Sequence, residues 1–81
     1  MNLNNDKIQK NPSEEEKDLI LKFFTSKKLV EAKKEVDKQI IKYPNSFILF
    51  NILGAILSEQ KHLGEAVENY KKSLKINPDY A

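Results

Sequence analysis

A 34-residue offset lays the second half of this chain over the first. Leu19, Lys27, Leu29, Glu31, Ala32, Lys38 and Pro44 recur as Leu53, Lys61, Leu63, Glu65, Ala66, Lys72 and Pro78, seven identities without a gap. Val36 answers Tyr70 and Ile40 answers Leu74, so the apolar pattern holds where identity fails. A tandem period of this length marks supersecondary units that cannot bury their apolar faces alone and must stack on their neighbours. Two units, 13–46 and 47–80, tile most of the 81 residues, and Ala81 stands where a third would begin.

Helical periodicity fills each unit. Ser13-Glu14-Glu15-Glu16 fits a capping box, in which a hydroxyl and a carboxylate satisfy the free amides of a helix start, and three carboxylates suit the positive end of the helix dipole. Leu19, Ile20, Phe23 and Phe24 then repeat on one face until the turn-like Thr25-Ser26-Lys27-Lys28. Leu29, Ala32, Val36 and Ile40 form a second stripe that Pro44 stops. A third helix, apolar on nearly every side, starts near Asn45-Ser46 and runs to about Gln60. Leu63, Ala66, Val67, Tyr70 and Leu74 give a fourth, stopped by Pro78. No segment alternates with period two, so the fold class is all-α with about four helices, and the short connections make neighbours antiparallel. Residues 1–12 carry no apolar period and read as a flexible leader.

The second unit resembles a tetratricopeptide repeat, whose pattern is a large apolar residue, Leu-Gly, an aromatic, a central Ala, a second aromatic and a closing Pro. Phe50, Leu53, Gly54, Leu57, Ala66, Tyr70 and Pro78 occupy those places, with Leu57 in place of the first aromatic. Gly54 and Ala66 are small where helix backbones approach closely, and the larger residues fill the space between helices. The first unit keeps Leu19, Phe23, Ala32 and Pro44 in register but has Glu16 and Ile20 in place of the large apolar residue and the glycine. A polar outer flank at Glu16 suits a capping repeat. Ile20 implies a first helix pair spaced or crossed differently from the family norm. The resemblance implies a right-handed α-solenoid of antiparallel helix pairs.

It also implies a non-catalytic protein-protein interaction scaffold, which holds a peptide or partner helix in the concave groove lined by the first helix of each pair. Carried over position by position, the groove residues are Lys17, Leu21 and Phe24, then Ile48, Asn51, Ile52 and Ala55. Some family members clamp a C-terminal carboxylate with Lys and Asn, but only Lys17 matches that set, with Leu21 and Ile52 in the Asn places. The groove is therefore apolar and suits an apolar or amphipathic helix. Equally, Ile48 and Ile52 could be covered by a neighbouring helix or a second copy. The open end of the array, where Tyr70, Leu74 and Ile76 are expected to be incompletely covered, suggests a homo-oligomerisation module as another reading. A further alternative is the N-terminal repeat region of a larger bacterial enzyme, of sulfotransferase or glycosyltransferase type.

Composition narrows the chemistry. There is no Cys, which removes disulfides, thiolate metal sites and a cysteine nucleophile. All 14 basic residues are Lys against 12 acidic, a net charge of +2 with no guanidinium for bidentate phosphate or base recognition. The pairs Asp18 and Lys22, Lys33 and Asp37, and Glu68 and Lys72 lie four apart and read as salt-bridged solvated faces rather than a nucleic-acid surface. His62 sits in a polar turn and Gly64 reads as a turn or helix-start residue, so neither forms a catalytic or metal-binding set, and no cofactor is expected. The longest apolar stretch, Phe47 to Leu57, is too short to cross a bilayer, and the polar N-terminus lacks a secretory signal, which points to a cytoplasmic protein without membrane contact.

Overall fold

Residues 11–79 are described by the computed structural model, and among them the chain forms four α-helices and no strand. The helices are α1 (Glu14–Thr25), α2 (Leu29–Lys42), α3 (Phe47–Glu59) and α4 (Leu63–Ile76). The capping box forms as the sequence predicts. The Ser13 hydroxyl accepts from the Glu16 amide, and the Glu16 carboxylate accepts from the Ser13 amide. At α3 the cap is Ser46, whose hydroxyl accepts from the Leu49 amide at 3.2 Å and donates to Asn11 Oδ1 at 2.6 Å. Asn11 is thus tied to the second helix pair and Pro12 is buried, so the expected leader does not extend over these two residues. Residues 1–10 of that leader, and the position of Ala81, lie outside the described residues.

The turns inside each pair close in one geometry. Lys27 (φ 63°) and Lys61 (φ 69°) are both left-handed and stand 34 residues apart. After each, two backbone bonds fold back onto the helix end: Lys27 and Lys28 donate to Phe24 and Phe23, and Lys61 and His62 donate to Ser58 and Leu57. This is the Schellman arrangement, here built without glycine. Gly64, the second residue of α4, is exposed and has a negative φ.

Side-chain bonds between helices fix their direction. Gln39 Nε2, near the end of α2, donates to the Glu16 carbonyl at the start of α1, and Ser73 Oγ, near the end of α4, donates to the Phe47 carbonyl at the start of α3. Each pair is therefore antiparallel. The main helix packings join α1 to α2, α2 to α3 and α3 to α4. One core runs through all of them, made of Ile20, Ala32, Val36, Tyr43, Leu49, Leu53, Ile56, Leu57 and Ala66.

Glycine and tyrosine meet in the second pair. A Cβ added at Gly54 would sit 2.7 Å from Tyr70 Cε1 and 2.8 Å from Cδ1, so the ring occupies the space a side chain would take. At the matching places of the first pair stand Ile20 and Val36, both fully buried. The larger residue has moved from the second helix of the pair to the first, which accounts for the missing glycine at position 20.

Candidate partner-binding groove

Helix α3 has two buried flanks and one half-buried one. Gly54 faces Tyr70 of α4, and Phe50, one turn earlier, lies beneath Lys72 Nζ at 5.4 Å from the ring centroid. Leu49, Leu53 and Ile56, on a second flank, are buried in the shared core. Ile48, Asn51, Ile52 and Ala55 follow one another at helical spacing along the remaining side, and each keeps part of its surface exposed. This is the row that sequence analysis assigns to the groove.

The α1 row has a more mixed character. Lys17, Leu21 and Phe24 also recur on one helical face. Lys17 Nζ is held by Glu14 Oε2 at 2.8 Å, Leu21 is 40% exposed, and Phe24 packs on the core while remaining half-buried. Phe24 and Ile52 both border the same core from outside, which ties the two rows to one apolar centre. None of the seven positions is fully buried.

A polar cluster links the ends of α1 and α2, and the sequence does not announce it. Glu16 Oε1 accepts from the Tyr43 hydroxyl at 2.7 Å, and Glu16 Oε2 pairs with Lys42 Nζ at 2.9 Å. The carboxylate accepts these bonds in addition to the Ser13 amide, and its side chain is only 27% exposed. Glu16 is therefore a hub toward α2 rather than an outer-flank residue. The Tyr43 hydroxyl, then the Ser13 amide and Lys42, hold its carboxyl well below the usual value of 4.5, at about 2. The same bonds raise the Tyr43 hydroxyl and the Lys42 ammonium above their ordinary ranges. Gln39 adds a bond to Glu35 Oε2, while its own Oε1 is buried without a partner among the described residues. Chemically the cluster is a staple between helix ends. The visible signal was a carboxylate in an apolar place of the repeat, 27 residues before a tyrosine.

The other singled-out side chains are solvent-facing. His62 stands exposed at the N-terminal boundary of α4 without a side-chain capping bond, with Nδ1 3.9 Å from Glu65 Oε1. Lys33 pairs with Asp37 at 2.9 Å as expected. Among the described residues neither Glu68 and Lys72 nor Asp18 and Lys22 form an ion pair, and the Lys72 ammonium lies over the Phe50 ring. Asp18 and Lys22 line a shallow depression on the outer side of α1 with Glu15 and Leu19. Among the described residues no group of acidic or His side chains is placed to hold a metal ion, and no helix is long and apolar enough to cross a membrane. Comparison with protein-family models, with curated proteins and with solved structures finds no significant match.

Proposed function

We propose that this chain is a non-catalytic scaffold of tetratricopeptide type, a short right-handed solenoid that holds an amphipathic partner helix or apolar peptide, in the cytoplasm. The observation that carries the reading is the half-exposed side of α3. Ile48, Ile52 and Ala55 keep part of their apolar surface exposed, with Ile52 packed at the edge of the core, and Phe24 borders the same core from α1. Apolar surface arranged at helical spacing beside a packed core suits a helix laid in a groove, with anchors at every third or fourth residue. Lys17 and Asn51 give that strip polar edges, which would fix the orientation of a partner more than its affinity.

The test is panning of a displayed library of amphipathic helical peptides on the intact chain, followed by affinity measurement on the selected peptides. Leu21→Lys with Ile52→Lys should weaken their binding at least tenfold while the helical circular-dichroism signal and cooperative melt persist. Equal binding by the folded double variant would move the partner site off this face.

A further inference from the structure

The outer stripe of α4 is an apolar face whose apolar counterparts in the first helix pair are buried or half-buried. Leu63 is 59% exposed, and Val67 and Leu74 are each 48% exposed, with half-buried Tyr70 between them. Thirty-four residues earlier stand Leu29, Lys33, Val36 and Ile40 of α2. There Val36 is fully buried, Leu29 and Ile40 pack on the core, Lys33 pairs with Asp37 at the rim, and α3 lies against α2. The α4 stripe thus has the form of a helix-docking surface that no helix covers among the described residues.

Two features select the occupant. The first is the spacing of the stripe, which steps by four, three and four residues and so reads the same in both directions. Two antiparallel copies of α4 in one register set Leu63 against Leu74 of the other copy and Val67 against its Tyr70, so all four apolar positions find partners. Near the dyad, exposed Glu68 and Lys71 lie on one flank and come within reach of each other's counterpart across the axis, with opposite sign. The second feature is the character of α1. Were copies to stack head to tail, α1 would take the place that α3 takes against α2. The buried Leu49 and Ile56 of α3 correspond, however, to Glu15 and Lys22 of α1, which are exposed and charged. Charges laid on an apolar stripe without partners are costly, so that stacking is disfavoured.

We infer that α4 is the interface of a two-fold symmetric antiparallel homodimer, closed by the Leu63–Val67–Tyr70–Leu74 stripe. A 14-residue helix is about 21 Å long, and one such helix per copy buries less than the ~1,200–2,000 Å² of stable complexes. The dimer is accordingly weak and concentration-dependent.

Sedimentation of the intact chain from ~10 µM to ~1 mM should show the average mass rising from monomer toward dimer. Val67→Glu, or Leu74→Lys should the first variant lose its helical signal, should raise the dissociation constant at least tenfold without lowering the melt substantially. The register is read by cross-linking, since the chain has no cysteine of its own. Under oxidation, Leu63→Cys mixed with Leu74→Cys should give a disulfide-linked dimer, while neither variant alone should. Strictly monomeric wild type across the series, or equal cross-linking of each variant by itself, would overturn the inference. The groove variant Ile52→Lys should dimerise like wild type, so the fate of the groove and the fate of the α4 interface are read separately.

Discussion

Gly54 and Tyr70 show how one exchange of side-chain size is distributed across a helix contact. The Tyr70 ring fills the space beside the α3 backbone at Gly54, and the matching places of the first pair hold a larger Ile20 and a smaller Val36, both fully buried. Gly54→Leu should therefore destabilise the domain by about 1–3 kcal/mol through overpacking, and adding Tyr70→Val should recover part of the loss. Thermal melts of the four members of this cycle test it, and independent effects would mean that the two residues do not share the space. The importance of Gly54 was legible in the sequence, because a small residue in a helical register has to be explained by close approach. The compensation at Ile20 and Val36 was not, since it depends on which pairs of side chains meet. Glu16 was legible only as a cap, and its bonds to Lys42 and Tyr43 join the start of α1 to the end of α2, a pairing that periodicity does not address. Those bonds make a pH prediction. As pH falls below the ordinary carboxylate value of 4.5, the unfolded chain takes up a proton at Glu16 while the folded chain resists until about 2. The stabilisation is present above that window and fades on descending through it. The melting deficit of Glu16→Gln relative to wild type should accordingly be largest near neutral pH and shrink toward pH ~2.5. A deficit that stays constant with pH would mean the carboxylate is not what Tyr43 and Lys42 hold.

At the scale of the helices, starts and stops follow local chemistry that sequence displays well. Ser13 and Ser46 cap α1 and α3, and α2 and α4 end before Pro44 and Pro78. The turns within each pair were less legible. A left-handed residue usually announces itself as Gly or Asn, and here both such places hold Lys, at φ 63° and 69°. An L-residue in that region is strained by about 1–2 kcal/mol, part of which a glycine gives back through lost chain entropy. Lys27→Gly and Lys61→Gly should each stabilise the fold by about 0.5–1 kcal/mol, whereas β-branched Val at either place should destabilise it. Gly64 presents the reverse case. It is helical, its φ is not positive, and a Cβ there would meet nothing within 4 Å. Gly64→Ala should add about 0.5–1 kcal/mol by reducing the freedom of the unfolded chain. In a domain of this size each such gain corresponds to roughly 2–8 °C in the melting midpoint, which calorimetry resolves. An unchanged or lowered midpoint for Lys27→Gly would mean that the turn is not strained.

At the scale of the whole molecule, the two faces of the helix stack differ in kind. The outer side of α1 carries exposed Glu15 and Lys22 where α3 carries buried Leu49 and Ile56, so it presents charge to solvent. The outer side of α4 carries Leu63, Val67 and Leu74. This polarity was legible from the 34-residue alignment alone, but how far each stripe is exposed required the packing of α3 on α2 to be seen. In a stack whose stability is a sum of units and nearest-neighbour interfaces, covering an exposed stripe adds one interface without altering the others. A helix appended after Ala81, with Leu at the places corresponding to 49, 53 and 56 of α3 and polar residues elsewhere, should lie on α4 as α3 lies on α2. Its melting midpoint should exceed that of wild type, and the increment should vanish when Val67→Glu is introduced beneath it. Because the added helix and a second copy of the chain compete for one face, the extended protein should also stay monomeric across the concentration series and lose the cross-link between Leu63→Cys and Leu74→Cys. An extended protein that melts at the wild-type temperature and still dimerises would show that α4 does not dock a helix in the manner of α2, and the correspondence between the two helix pairs would end at their turns.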